Sequence, residues 1–188
     1  MTSRIFFLIF LLGGMTILRL FWMFTDPRSF KKYVKSNLKS KTFLLSISET
    51  IVGIILIITT LFFPLPATSL DVSIEIFGIV IFISGFIILI WAKLVMKKNW
   101  GPAEGRYDSK RQDELVTSGP FSFSRNPIYL GIILTDLGIF ISLRSPLIFL
   151  TLFHYLYYKH FVLKEEKILE KYFGKKYIEY KKRVPRFL

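Results

Sequence analysis

One stretch of the sequence decides the fold: residues 115–131, which read LVTSGPFSFSRNPIYLG. Long apolar segments precede this stretch, and an apolar hairpin followed by a charged tail comes after it. Gly119-Pro120 is a turn signal. Asn126-Pro127 is a helix start, because Asn accepts a hydrogen bond from an early backbone N–H and Pro fits the first helical position. We therefore expect a helix from Pro127, whose positive dipole end suits an anionic group such as a carboxylate.

The composition indicates a membrane protein. The chain has 188 residues, of which 52% are hydrophobic and 17% aromatic, and its formal net charge is +13. A soluble domain of this length is less apolar. In so apolar a chain the basic excess is a topology signal and a contact for anionic lipid, so nucleic-acid binding is not predicted. Because the chain has no cysteine, it has no disulfide, thiol nucleophile or zinc–thiolate site.

Five apolar segments are long enough, or nearly so, to span a bilayer as helices. The sequence thus predicts an all-α, polytopic membrane protein with five transmembrane helices, the last two forming a hairpin, and a cytosolic C-terminal helical segment. A signal peptide is the alternative for the first segment, but no small-x-small cleavage site follows it. Glu49 in the second segment is either a functional intramembrane acid or part of a structural ion pair. The predicted spans are residues 5–24, 42–63, 72–95, 128–143 and 147–163.

The distribution of Lys and Arg predicts one orientation. With the N-terminus outside and the C-terminus inside, nearly every basic residue lies in or beside a cytoplasmic loop, Arg4 and Arg144 excepted. The start of the Pro127 helix, the loop before it and the basic tail then meet at the cytoplasmic face. We expect one membrane domain over residues 1–188, in which 1–98 is a three-helix scaffold and 99–188 is the catalytic half.

The tail after residue 164 has an amphipathic helical pattern. Ile168, Leu169, Tyr172 and Phe173 recur at one-and-four spacing and form its apolar stripe. Gly174 is predicted to end this helix.

Common soluble catalytic motifs are missing from the sequence. It contains no G-x-G-x-x-G after a strand, no P-loop, no H-E-x-x-H and no G-x-S-x-G, and its only histidines are His154 and His160. Nucleotide hydrolysis, metalloprotease and serine hydrolase activities are therefore not predicted, and neither is a metal site.

Two stretches together resemble a known family. The first is the region around Arg125-Asn126-Pro127-Ile128-Tyr129, and the second is a pattern in the tail. They resemble the Arg-His-Pro-x-Tyr region and the C-terminal pattern of isoprenylcysteine carboxyl methyltransferases and the related phospholipid methyltransferases. The resemblance covers roughly the second half of the chain. The tail residues that carry it are Glu165-Glu166, Leu169, Phe173-Gly174, Tyr177, Tyr180 and Val184-Pro185.

The resemblance implies a cytosolic pocket for S-adenosyl-L-methionine, formed by the connecting loop and the C-terminal helix. Phe121 and Phe123 offer aromatic surface to adenine, N–H groups of the Pro127 helix suit the methionine carboxylate, and a Glu accepts from amino or hydroxyl groups. Glu165 and Glu166 point about 100° apart on a helix, and Glu165 is preferred for the cofactor. The matching positions, taken as cofactor-binding, are Asp113, Glu114, Leu115, Val116, Phe121, Asn126, Pro127, Ile128, Tyr129, Glu165 and Glu166.

Other interpretations of these residues stay open. The two phenylalanines also suit interfacial anchors, Asn126-Pro127 a simple helix cap, and Glu165-Glu166 a solvated face paired with lysines. The family usually has His at Asn126, often has His at Asp113, and in eukaryotic members has a substrate-binding Arg at Phe161. The candidates to replace that Arg in substrate binding are Arg125, His160 and Lys164. No catalytic residue is assigned.

Three functions are open at this point. The first is carboxyl O-methylation of a C-terminal S-isoprenylcysteine or a similar lipophilic carboxylate, which needs no general base because the acceptor is ionised at neutral pH. The second is N-methylation of a phospholipid or other amphiphile head group, which needs a base such as Glu166 or His160. The third is a sterol-reductase-like or non-catalytic membrane protein. The expected partners are a prenylated or lipid-like substrate and membrane lipid, with no nucleic acid and no obligate protein partner.

Overall fold

The computed structural model describes residues 69–97 and 114–188 continuously, with short pieces between 9 and 17 and between 51 and 59. These described residues are helical or loop and include no strand. The short pieces are helical and fall within the first two predicted spans. Most of those spans, Glu49 and Asp113 lie outside the described residues. Four α-helices are complete: α1, Asp71–Met96; α2, Pro127–Ser142; α3, Leu150–Phe173; and α4, Lys175–Arg183.

Helix α1 is the one described helix long and apolar enough to cross a membrane. It has 26 residues, with Asp71 in its first turn and Lys93 in its last, as the helix dipole favours. It ends before Lys97, whose φ of 46° lies in the left-handed region. Only 28% of its most apolar stretch is buried, and residues such as Phe77 and Leu94 are 60% and 57% exposed. An apolar helix with an exposed apolar side fits the predicted span 72–95.

Helix α2 begins at Pro127, which confirms the predicted helix start. Its 16 residues reach about 24 Å, which is less than the roughly 30 Å of a hydrocarbon core. The helix ends at Ser142, followed by a turn in which Arg144 has a φ of 50°. A short 3-10 helix, Pro146–Phe149, then leads into α3.

Helix α3 runs without interruption through two segments that the sequence pattern separated. The predicted span 147–163 and the amphipathic tail form a single helix of 24 residues, because no Gly or Pro lies between Leu150 and Phe173 to end it. Gly174 ends α3 as predicted, with a φ of 55°, and its N–H donates to Glu170 O. The nine-residue α4 starts directly after it.

The chain divides into two compact units. The first consists of residues 1–78 and 139–147, and its described part contains an ion pair between Arg144 and Asp71. The second consists of residues 79–138 and 148–188. It holds every described residue of the predicted site.

Within the second unit, α1 and α2 pack through glycines. A Cβ at Gly85 would lie 2.7 Å from Gly131 O and 2.7 Å from Thr135 N, and a Cβ at Gly131 would lie 2.7 Å from Leu89 Cγ. Thr135 is 1% exposed and donates its hydroxyl to Gly131 O at 2.7 Å. The two helix backbones therefore come together where any side chain larger than a hydrogen would separate them.

Helices α2 and α3 run antiparallel in the same unit. His154 Nδ1 lies 2.7 Å from Asp136 Oδ2, and the rings of Tyr129 and Tyr158 are 5.4 Å apart. From Tyr129 to Asp136 the chain moves forward along α2, whereas the contact partner on α3 moves back from Tyr158 to His154. The hairpin places the start of α2 beside the second half of α3, where the predicted site residues lie.

Candidate functional site

A buried carboxylate lies at the centre of the site. Glu166 is 3% exposed, and its Oε1 accepts from Arg125 Nε at 3.1 Å and Arg125 Nη2 at 3.0 Å. Its Oε2 accepts from Arg186 Nη2 at 2.9 Å and Arg186 Nε at 3.2 Å. Asn126 Nδ2 donates to Oε1 at 3.3 Å. We call these four residues, Arg125, Asn126, Glu166 and Arg186, the Glu166 clasp.

The clasp also binds the C-terminal segment, residues 184–186, to the loop that precedes α2. The backbone N–H of Arg125 donates to Pro185 O at 2.9 Å. Arg125 Nη1 donates to Lys181 O at 2.8 Å and to Val184 O at 2.9 Å, so it caps carbonyls at the end of α4. Asn126 Nδ2 donates to Arg186 O at 3.1 Å. The two stretches are thus joined by backbone and side-chain bonds together.

A small aromatic core lies under this junction. Tyr177 and Tyr180 are 1% and 3% exposed, and Val184 packs with them. The Tyr180 hydroxyl donates to Phe121 O at 2.7 Å. Burial raises the pKa of both tyrosines, with the nearby Glu166 charge adding to the effect. The partly buried residues against this core are Leu115, Leu169 and Phe173.

These contacts explain the spacing of the tail pattern. Leu169 and Phe173 of the apolar stripe of α3 pack on the same core as the two tyrosines of α4, and Gly174 allows the chain to turn between the two helices. The amphipathic pattern therefore serves protein packing within this unit.

The arginines fix the protonation state of the buried carboxyl. Burial opposes ionisation of Glu166, but hydrogen bonds from Arg186 and Arg125 and the charges of both arginines outweigh it and lower its pKa. The same hydrogen bonds raise the pKa of the Arg186 guanidinium. Glu166 is therefore an ionised carboxylate with its lone pairs committed, which is unsuited to accept a proton at neutral pH.

The turn before α2 rests on the end of α1. Gly119 has a φ of 60°, and a Cβ there would lie 2.8 Å from Val95 Cγ2 and 3.1 Å from Trp91 Nε1. The predicted turn at Gly119-Pro120 is thus confirmed, in the form of a 3-10 helix over Gly119–Ser122. Phe123 follows it, with its ring 6.3 Å from that of Trp91.

The structure brings several predicted site residues together. Arg125, Asn126 and Glu166 meet in the clasp, and Phe121 is tied to Tyr180. Pro127, Ile128 and Tyr129 are buried in the first turn of α2. Glu165, adjacent to Glu166, is half-buried and is not part of the clasp.

The remaining predicted residues lie around this group. Leu115 and Val116 are half-buried, and Leu115 contacts the aromatic core. Glu114 is exposed, as are His160 and Lys164 on α3. Asp113 lies outside the described residues. No group of metal-ligating side chains occurs in the described part of the chain.

Two features were not predicted from the sequence. Arg186 directly follows the last position of the tail pattern, and an arginine beside a patterned Val-Pro was the available signal. The Asp136–His154 contact joins two ionisable residues inside apolar segments, which is itself a signal of function or of helix pairing.

Comparison with known proteins covers this same region. Residues 74–176 match the sequence model of the phospholipid methyltransferase family. Three curated relatives are named protein-S-isoprenylcysteine O-methyltransferase, from Xenopus laevis, Homo sapiens and Saccharomyces cerevisiae. They are 31%, 28% and 40% identical over alignments of 109, 111 and 73 residues, and the matches cover 54%, 55% and 37% of this chain. The chain spans 38%, 39% and 30% of their lengths. No solved structure matches it.

Proposed function

The chain belongs to the phospholipid methyltransferase family, and from this premise we propose that it is a membrane methyltransferase that uses S-adenosyl-L-methionine and releases S-adenosyl-L-homocysteine. The proposed acceptor is the α-carboxylate of a C-terminal S-isoprenylcysteine, or a similar lipophilic carboxylate. The observation that carries this proposal is that the family match over residues 74–176 includes both Arg125–Tyr129 and Glu165–Glu166. The names of the three relatives support the acceptor class.

The proposed membrane arrangement follows the charge distribution. Five spans place the N-terminus outside, and the start of α2, the end of α3 and α4 at the cytoplasmic face. The exposed apolar side of α1 supports contact with lipid. A prenyl or acyl chain then enters from the bilayer, while its polar head reaches the cytoplasmic site.

The residues around the clasp fit the polar groups of the cofactor. Glu165 suits the amino group or the ribose hydroxyls, since its carboxylate accepts hydrogen bonds. The first turn of α2 offers backbone N–H groups and a positive dipole end to the methionine carboxylate. The other proposed contacts are Asp113, Glu114, Leu115, Val116, Phe121, Asn126, Ile128 and Tyr129. When bound, the cofactor supplies a methyl group on a sulfonium centre.

We propose that Glu166 acts by holding other residues of the site in place. Its carboxylate is held by two arginines and Asn126, so it fixes where α3 lies against the start of α2. Because Glu165 directly precedes Glu166 on α3, the clasp also fixes the direction of Glu165. Alignment of this kind supplies much of the rate in a direct transfer between two bound molecules.

The state of Glu166 favours a carboxylate acceptor over an ammonium acceptor. A protonated amine must lose a proton before it attacks, and the sequence offers Glu166 or His160 as the base. The lowered pKa of Glu166 and its arginine partners make it a poor base. A carboxylate is already ionised at neutral pH and attacks without one.

The test is a titration of the detergent-purified chain with S-adenosyl-L-homocysteine. Saturable binding is expected, and Glu165→Ala should weaken it. Glu179→Ala, an exposed acid on α4, is the matched control and should bind like wild type. Absence of binding by folded wild type would reject the methyltransferase proposal, and NADPH is then the ligand to try for a reductase.

The acceptor is tested in the same preparation. Transfer of a radiolabelled methyl group to N-acetyl-S-farnesylcysteine, with none to phosphatidylethanolamine, is the expected result. Transfer to the ethanolamine lipid alone would instead establish the N-methyltransferase alternative, and His160→Ala would then be the first variant to measure.

A further inference from the structure

The structure removes one candidate for holding an acceptor carboxylate. All three nitrogens of the Arg125 guanidinium donate within the protein, two to Glu166 and one to backbone carbonyls, and its side chain is 7% exposed. Phe161 contacts the rings of Tyr157 and His160 and carries no charge. A carboxylate that enters this part of the unit therefore needs another cation.

One edge of the positively charged Arg186 guanidinium is available to a ligand. Its Nε and Nη2 donate to Glu166, whereas its Nη1 makes no hydrogen bond to any residue that the structure describes. The side chain is 31% exposed, so solvent or a ligand reaches it. Two guanidinium groups share the one carboxylate of Glu166, so the clasp keeps one positive charge, and Arg186 presents it outward.

Tyr155 on α3 lies near both a second cation and the residue that follows Arg186. The ring of Phe187, the next residue, lies 5.7 Å from that of Tyr155 on α3. Lys159 Nζ lies 5.8 Å from the centre of the Tyr155 ring. Tyr155, Lys159 and Glu166 lie four and seven residues apart along α3, which places them on one face of the helix. We call Tyr155, Lys159, Arg186 and Phe187 the basic–aromatic patch.

The position of Lys159 is unusual for a lysine. It lies in the tenth position of α3, within the apolar part of that helix, and is half-buried. Its one recorded interaction with the described residues is the contact with Tyr155. A cation at such a depth, with no acid in ion-pair contact among the residues that the structure describes, is expected to meet a mobile anion or a ligand.

We propose that Arg186 and Lys159 bind the carboxylate of the lipophilic acceptor, and that Tyr155 and Phe187 contact its apolar chain. This inference rests on the proposed function and names its substrate subsite. Arginine matches a carboxylate with two parallel N–H groups, and the Glu166 bonds hold the guanidinium in one orientation before a ligand arrives, which lowers the entropy cost of binding. The same chemistry suits the head group of an anionic phospholipid, so the test separates these two sources.

The experiment measures direct binding of N-acetyl-S-farnesylcysteine and of its neutral amide to the detergent-purified full chain. Wild type should bind the acid more tightly than the amide. Lys159→Gln should weaken binding of the acid about tenfold, the lower end expected for a charged hydrogen bond, and leave the amide unchanged. The matched control is Lys171→Gln, an exposed lysine later on the same helix, which should change neither.

Arg186→Gln should also remove the preference for the acid, provided that its thermal transition is retained. Because this variant also breaks the clasp, Lys159→Gln is the decisive one. Titration with S-adenosyl-L-homocysteine runs in parallel, and Lys159→Gln should leave that affinity unchanged.

The outcomes separate the two proposals. The subsite proposal is overturned if wild type binds the acid and the amide equally. It is also overturned if Lys159→Gln keeps the wild-type preference for the acid, and both results count even where cofactor binding is intact. Lys159→Gln could instead lose binding to phosphatidylserine vesicles and keep the preference for the acid. That result would assign the basic–aromatic patch to membrane lipid and would also overturn the subsite proposal. Failure of cofactor binding rejects the proposed function, whereas the acid and amide comparison judges the subsite by itself.

Discussion

Arg125 Nη2 lies 3.0 Å from Glu166 Oε1, although the two residues are 41 positions apart in the chain. The contact joins the loop that precedes α2 to the second half of α3, and both side chains are almost fully buried. It links the two stretches of sequence that together resemble one family. Their co-occurrence therefore has a structural basis, since breaking a buried ion pair by removing one partner is strongly destabilising.

Arg125→Gln is expected to destabilise the chain strongly. The change leaves Glu166 buried with Arg186 and Asn126 alone and removes a cap from the end of α4. Losing one partner of a buried pair costs on the order of 3 kcal/mol. The measurement is thermal unfolding in detergent.

The control for that variant is an exposed ion pair in the same unit. Lys181 and Glu170 are 3.1 Å apart, with side chains 40% and 42% exposed, so Glu170→Gln should cost no more than about 1 kcal/mol. Equal melting shifts for the two variants would show that the clasp contributes no more than a surface pair.

The clasp predicts a dependence of stability on pH. The pKa of Glu166 is lowered from its ordinary value of 4.5, so its contribution is fully present above pH 4.5 and is lost as the pH falls through the folded-state pKa. The difference in melting temperature between wild type and Glu166→Gln should be constant near neutral pH and shrink in acid. A difference that grows as the pH falls would mean that the carboxyl is protonated in the folded protein.

Gly85→Ala should disrupt the packing of α1 on α2. The new Cβ would meet backbone atoms of Gly131 and Thr135 at 2.7 Å, and backbone does not move aside as the end of a flexible side chain does. The matched control is Gly53→Ala, because a Cβ at Gly53 has no atom of the described residues within 4 Å and alanine favours helix. Melting temperatures should fall for the first and stay level or rise for the second.

Tyr180→Phe should cost about 1 to 3 kcal/mol, since it removes the 2.7 Å hydrogen bond to Phe121 O and leaves a buried carbonyl unpaired. Tyr172→Phe serves as comparison, because Tyr172 is 46% exposed. The measurement is thermal unfolding of the two variants side by side, and the larger loss of stability is expected for Tyr180→Phe. No difference between them would mean that water takes the place of the lost hydroxyl.

The sequence predicted the local elements of the second half well. The start of α2 at Pro127 and the end of α3 at Gly174 follow from proline and glycine chemistry, which acts within a few residues. The continuity of α3 was not predicted, because the change from apolar to amphipathic pattern at residue 164 suggested two segments although nothing there breaks a helix.

The arrangement of the site was less accessible from the sequence. Glu165 and Glu166 are indistinguishable by type, and only packing shows that Glu166 faces the arginines. Arg186 lay beyond the recognised pattern, and its partner is 20 residues away. Pairings of this kind depend on how α3 and α4 close on Tyr177 and Tyr180, which no local periodicity encodes.

The residues of the clasp are synthesised at different times, and Arg186 is the last of them. Glu166 leaves the ribosome 20 residues before Arg186, which at ordinary translation rates is about one to four seconds. During that interval the nascent hairpin carries a carboxylate that Arg125 and Asn126 alone can satisfy, and the end of α4 does not yet exist. The last part of this unit to be translated is therefore the part that completes the hydrogen bonding of Glu166, so a chain interrupted before Arg186 keeps this buried carboxylate without the two donors that bond its Oε2.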